Sequence, residues 1–285
     1  MITLIHDPAC ASYQKIGHPE APFRVRESAA HLLKTHPDWD WVKPQAAGDR
    51  SILRAHSPQF LMDIDHPLDD FDGDTPAYPE ITGIARNAVG AALDATHRAL
   101  KGQKTFSLMR PPGHHATRTQ AMGFCYLNSI AIAALEAVEM GVGRVAIYDF
   151  DAHHGNGTED IVLNHPNIRF CSVHQYPGFP GTGTTSRANC SNWPVHPMTP
   201  RKEHLHQLRL AWEKVLDFNP GLILISAGFD AYSGDPITEM TLEMEDFAKL
   251  GMWAKNAACP TAAILEGGYS RDLPLIMDAF LSEWS

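Results

Sequence analysis

Residues able to hold a metal ion or move a proton crowd into the stretch VAIYDFDAHHGNGTEDI, residues 145–161, as Asp149, Asp151, His153 and His154. They follow directly on Val145, Ala146, Ile147 and Tyr148, a run that wants burial on both faces of a sheet. Carboxylates beside such a run are costly to bury in ionised form unless something pairs with them. A metal, a proton relay and a structural polar network all satisfy that demand. Asp151 and His153 lie two apart, so a turning backbone can aim both the same way, and Asp230 in SAGFDAYSGDP can supply a third ligand. Two carboxylates and one imidazole leave a position open for water, the arrangement of a catalytic rather than a structural zinc. The competing reading is that Asp151 and Asp230 cap helices or turns, common work for Asp beside glycine.

Two further groups fit the same chemistry. His114 and His115 follow RPPG, a rigid turn that restricts where the imidazoles point. A metal-bound water needs a base and a departing amine needs an acid, both within reach of histidine near neutral pH. Asp149 can hold one of these rings through its N–H, and Asn156 can orient the other without adding charge. Tyr269, in LEGGYS, follows two glycines that let backbone approach closely, so its phenol can donate to a developing oxyanion.

These groups need a scaffold that brings them together. Short apolar segments alternate with amphipathic ones, which predicts a parallel sheet wrapped by helices in a single α/β domain spanning residues 1–285. Strands are predicted at 3–5, 105–108, 144–150, 168–173, 222–226 and 261–265, and helices at 24–35, 80–101, 127–140, 202–217, 242–257 and 273–281. The polar clusters each follow one of these strands, and ligands of open parallel sheets bind beyond the strands' carboxyl ends. Five separate loops are therefore expected to converge on one crevice. One of them, QYPGFPGTGTTS at 175–186, is too long and too rich in Gly and Pro for a simple turn.

Composition narrows the partners. A formal net charge of −10 in 285 residues argues against broad binding to nucleic acid or to anionic membranes, since both need a basic face. Cys10, Cys125, Cys171, Cys190 and Cys259 are odd in number and lack CxxC spacing, so a reducing compartment is expected rather than a disulfide framework. MITLIHDPAC has neither a basic leader nor a long apolar run, and nothing approaches the ~20 apolar residues of a membrane span. The expectation is a cytoplasmic protein.

Taken in order, RPPGHHA, GFCYLNSIAIAA, YDFDAHHGNGT, YPGFPGTG, SAGFDAYSGDP and LEGGY resemble the zinc-dependent histone deacetylase superfamily, which includes acetylpolyamine amidohydrolases and bacterial deacetylase-like amidohydrolases. HPEAPFR at 18–24 and AHSPQFL at 55–61 resemble its class II branch. The resemblance implies an arginase-like α/β fold with the active site at the carboxyl ends of the strands. It implies Asp151, His153 and Asp230 as ligands of one Zn2+ per chain, with Fe2+ as the alternative, and His114 and His115 as the paired histidines, His115 being the main base and acid. Tyr269 matches the tyrosine that polarises the acyl carbonyl and Asp149 the partner of the first histidine. Asn156 stands where some branches carry Asp. Phe124 and Phe179, with Gly123, match the walls of the acyl-lysine tunnel, and Arg24 an arginine of the internal cavity. Asp149, Asp151, His153, Ser172 and Val173 fall where the family binds K+.

What the resemblance implies is hydrolysis of an acylated amine, with acetyl-lysine in peptides or proteins favoured over acetylpolyamines because no narrowing insertion is visible near the rim. Asp72 and Asp74, in an acidic stretch with Asp69 and Asp70, are candidates for the rim aspartate that grips substrate. An arginase-type ureohydrolase is disfavoured by Gly155, which stands where a second-metal Asp is expected. A silent acyl-lysine reader is disfavoured because neither a ligand nor Tyr269 is missing.

Overall fold

A computed structural model describes residues 2–285. Among them eight strands form one sheet: β1 (Ile2–Ile5), β2 (Asp40–Val42), β3 (Lys104–Ser107), β4 (Val145–Asp149), β5 (Ile168–Gln175), β6 (Cys190–Val195), β7 (Leu222–Ala227) and β8 (Thr261–Leu265). The order is β2-β1-β3-β8-β7-β4-β5-β6, and every pairing is parallel. Parallel pairing forces a crossover between strands, and helices supply it. The helices that matter below are α1 (Phe23–Thr35), α2 (Asp49–Ile52), α3 (Pro58–Asp65), α4 (Ile81–Ala99), α5 (Ser129–Glu139), α6 (Asn156–Val162), α7 (Arg201–Asp217), α8 (Met244–Lys255) and α9 (Leu273–Trp284).

The middle strands β4, β7 and β8 are buried at every residue, as their apolar runs require when both faces are covered. Register then sets where apolar gives way to polar. Ser107 pairs with Ile264, Ile264 with Ser226, Ser226 with Asp149, Asp149 with Ser172 and Ser172 with Asn192. Around this rung, polar on β3, β7, β4, β5 and β6, the sheet ends and the loops begin. The last segments of the chain close the core behind it. Phe150 packs on Phe229 and Phe280 at ring separations of 5.8 and 5.7 Å, and Phe229 lies 5.9 Å from Phe280. This cluster sits directly behind the positions of Asp151 and Asp230.

The long elements match the sequence expectation within two residues, except that α9 runs three residues beyond its expected end. Leu242, expected in a helix, instead bridges to Tyr232, and α8 begins after Glu243 through a capping box with Asp246. Edge strands β2 and β6 were not expected: β2 has three residues, and β6 contains Pro194, which only an edge tolerates. The short helices α2, α3 and α6 were also missed, α6 because its opening Asn156–Gly157 reads as a turn. Among the described residues no helix is long and apolar enough to cross a membrane, and all five cysteines are free.

Phe280→Ala should lower the unfolding free energy by about 3–5 kcal/mol, the usual result of emptying a buried aromatic site. Equilibrium denaturation by urea measures it; an unchanged midpoint would show that the cluster contributes no packing energy.

Candidate active site and metal centre

The sheet order explains why the chemistry-bearing loops meet. Strands β3, β8, β7, β4 and β5 are consecutive neighbours, and they feed the loops carrying His114 and His115, Tyr269, Asp230, Asp151 and His153, and Phe179 respectively. Residues from 114 to 269 therefore face one crevice.

Asp151, His153 and Asp230 each offer a ligand atom, and these atoms all lie within 4.8 Å of one another. His153 Nδ1 is 3.2 Å from Asp151 Oδ1 and 2.9 Å from Asp230 Oδ2. The loop is turned by its own carboxylates: Asp149 Oδ1 accepts from Asp151 N, and Asp151 Oδ1 accepts from His153 N. Asp230 Oδ1 accepts from Ala152 N at 2.8 Å, tying the β7 loop to the β4 loop. Glycines make room for the cluster. A Cβ on Gly228 would lie 2.0 Å from Asp151 Oδ2, and one on Gly267 would lie 2.2 Å from Asp230 Oδ2.

Two buried carboxylates at this spacing repel, and burial with the charge of Asp151 pushes the Asp230 carboxyl above its usual range. Burial opposes a charge on His153, yet Asp230 and Asp151 outweigh it and hold the imidazole up at about 10. A donor set that draws positive charge this strongly suits a divalent cation, and two oxygens with one ring nitrogen are donors that zinc or ferrous iron accepts.

Next to the triad stand the paired histidines. Glu266 Oε2 accepts from the backbone N–H groups of Gly113 and His114, at 2.6 and 3.1 Å, and so fixes their turn. His114 Nδ1 lies 3.1 Å from Asp149 Oδ2, and His115 Nδ1 lies 2.7 Å from Asn156 Oδ1. An amide oxygen can only accept, so with that assignment His115 Nδ1 carries the proton and Nε2 is free to receive one. Burial lowers the proton affinity of His114, but Asp151 and Asp149 raise it to about 10. His115 goes the other way: burial, then the neighbouring His114 and His153, push it well below 6.5. The two rings, 4.0 Å apart, are thus shifted in opposite directions.

A cavity of about 310 Å³ opens onto this cluster. His115, His153 and Tyr269 line its inner end; Gly123, Phe124 and Phe179 line its sides; Pro19, Asp74 and Ile237 complete it. Phe179 and Ile237 are 44% and 37% exposed while Tyr269 is 7% exposed, which orients the cavity from mouth to floor. Phe124 takes φ +70°, rare for an aromatic residue, and is held there because Asp72 Oδ2 accepts from Gly123 N and Thr75 Oγ1 from Phe124 N. Larger cavities exist beside His6 and Trp41 and beside Asp65 and Tyr78, but neither contains the triad.

Behind the floor, Arg24 is wholly buried. Its Nε donates to Gly268 O at 2.6 Å, its Nη2 donates to Glu266 O, and its guanidinium lies 4.7 Å from the Tyr269 ring. Glu20 answers that charge; burial opposes ionisation, but Arg110 and Arg24 pull its carboxyl down to about 2. Ser172 meets Asp149 in register at the ends of β5 and β4, with Val173 following and Ser172 Oγ 2.9 Å from His174 Nδ1.

Not every residue singled out joins the cluster. His154 turns away, with Nδ1 against Thr182 Oγ1 at 2.8 Å and Nε2 against Glu159 Oε2 at 3.2 Å, so it braces the 175–186 loop. Of the acidic stretch, Asp74 reaches the cavity, Asp72 supports its wall, and Asp70 lies 3.9 Å from Lys15 Nζ. Glu20, Glu266 and Asp235 also support the site without being marked by the sequence. The last two accept backbone N–H groups, and nothing in residue spacing marks that role.

Comparison with known proteins supplies the family. Residues 18–282 match the histone deacetylase domain family. A probable deacetylase of Methanothermobacter thermautotrophicus is 35% identical over 94% of this chain and 86% of its own length. A histone deacetylase-like amidohydrolase of Pseudomonas aeruginosa is 34% identical over 93% of this chain and 75% of its own. The solved HDA15 HD domain superposes with a TM-score of 0.90 at 28% identity, covering 98% of this chain and 86% of that one. The chain belongs to the histone deacetylase family and is a hydrolytic deacetylase.

Proposed function

We propose that residues 1–285 form one catalytic unit, a cytoplasmic zinc-dependent hydrolase that removes acetyl or another short acyl group from acyl-lysine in peptides or proteins. The observation that carries this reading is the triad of Asp151, His153 and Asp230, whose His153 reaches the floor of an aromatic-walled cavity beside His115 and Tyr269. These three residues would hold the zinc, or ferrous iron, which when bound supplies Lewis acidity to a water and to the amide carbonyl.

The remaining steps belong to the chain's own residues. His115, neutral and with Nε2 free, takes the proton of the attacking water, while Asn156 keeps the ring turned to receive it. Tyr269 donates its phenolic O–H to the oxygen on which charge develops. His115 then gives its proton to the leaving nitrogen. The neighbouring His114, charged and paired with Asp149, keeps His115 from retaining that proton. Products are a short carboxylate and a free amine. The K+ site proposed at Asp149, Asp151, His153, Ser172 and Val173 draws its support from the meeting of Asp149 and Ser172 at the sheet end, and a cation there would offset the buried carboxylates.

Substrate choice follows from the cavity. Phe124 and Phe179 reward a flat methylene stem between them, and a free ammonium would lose its hydration there, so the neutral amide enters. Asp74 at the mouth can accept an N–H of a peptide main chain. One observation favours acetylated polyamines as a second reading: Asp74 lies exposed at the rim, and Asp69 and Asp70, exposed a few residues before it, add negative charge that can attract a polycation.

Tyr269→Phe should retain the fold and lower kcat by about 10²–10³, the usual result of deleting one oxyanion donor, with a smaller change in KM. Steady-state kinetics checks this, and wild-type turnover in the variant would remove Tyr269 from the reaction. On purified, metal-loaded protein, an acetyl-lysine peptide should give a higher kcat/KM than N-acetylputrescine. A hundredfold preference for the polyamine would reverse the substrate order and leave the chemistry unchanged.

A further inference from the structure

Tyr269 stands on a turn that needs holding. Gly268, immediately before it, takes φ +117°, and the phenol is a long lever, so a small rotation of the backbone displaces its oxygen from any fixed point in the cavity. Arg24 holds the carbonyl side of this turn through Gly268 O and Glu266 O. Its amide side is held by a residue from another loop. Asp235, buried in the segment after β7, receives Tyr269 N at 2.7 Å and Ser270 N at 3.2 Å on Oδ2. Its other oxygen, Oδ1, receives Ile237 N at 3.1 Å. Ile237 is at the cavity mouth and Tyr269 at its floor, so one carboxylate ties both ends of the tunnel together. The backbone of Asp235 is anchored in turn, its N–H donating to Tyr232 O at 3.0 Å.

We propose that Asp235 is a positioning residue for Tyr269, setting through these paired N–H groups the direction from which the phenol donates to the reacting carbonyl. The proposal rests on the role given to Tyr269 above. It assigns Asp235 no contact with substrate. A full stabilising role for the fold alone predicts a different pattern of kinetics, and that difference can be measured.

Asp235→Asn keeps the size of the side chain but exchanges one acceptor oxygen for a donor, so either the 269–270 pair or Ile237 loses its partner. The variant should lose about 10–100-fold in kcat, the scale of a misplacement near 1 Å, with KM within about threefold and metal content per chain unchanged. In the Tyr269→Phe background the same substitution should cost less than about threefold, because the group it positions is gone. Should Asp235→Asn fail to fold, Asp235→Ser, which is smaller and keeps one acceptor, is read in the same cycle with the same expectation. Undiminished kcat, or an equal loss in both backgrounds, overturns the proposal. Tyr269→Phe measured alone separates the two levels: if it turns over normally, the role of Tyr269 fails and that of Asp235 with it. If it is slow while Asp235→Asn is not, only the positioning role fails.

Discussion

Asp151 and Asp230 reach the centre of the molecule with no exposure to solvent, and a single imidazole nitrogen lies within about hydrogen-bonding distance of an oxygen from each. Two charges of the same sign cannot be held there unless a positive one is held with them. Much of the surrounding structure is arranged around this demand. Ala152 N and Gly267 N point at the carboxylates, Gly228 and Gly267 lack the Cβ that would displace them, and the Phe150, Phe229 and Phe280 cluster stiffens the ground behind. The same charges then act on the two histidines. They raise the proton affinity of His114, while burial and then the neighbouring His114 and His153 lower that of His115, so adjacent residues of one chemical type are pushed in opposite directions.

The sheet makes this arrangement reachable from distant parts of the chain. Inserting β7 and β8 between β3 and β4 places the last two apolar strands between the strands that carry the histidine pair and the metal loop. Each loop then needs only a few residues beyond the closing rung to reach the crevice. Carboxylates fix the loops once they arrive: Glu266 takes the amides at 113 and 114, Asp72 that at 123, and Asp235 those at 269 and 270. The catalytic groups are thus held mainly through backbone, leaving their side-chain ends free for chemistry.

What the sequence reveals and what it hides follow from this division. The buried strands and the convergence of their loops were legible, because apolar runs such as VAIY and LILI can be satisfied only inside a sheet. The cluster of Asp149, Asp151 and His153 was legible too, since acids beside such a run need a partner. His154 was not separable from His153 by type or spacing; only the fold shows that it faces Thr182 and Glu159. Edge strand β6 was hidden by Asn192 and Pro194, residues that an edge tolerates and a central strand does not. Glu266 and Asp235 were hidden for a deeper reason. An acid that accepts backbone N–H groups from another loop has no partner side chain to reveal it.

Everything at the site depends on a cation among Asp151, His153 and Asp230. The direct measurement is metal content per chain alongside acetate release, for the wild type before and after chelation and for Asp230→Ala. One metal ion per wild-type chain is expected, with activity abolished by chelation and restored by zinc, and with little metal and little activity in the variant. Full turnover by protein shown to be metal-free, or an undiminished metal content in Asp230→Ala, would contradict it.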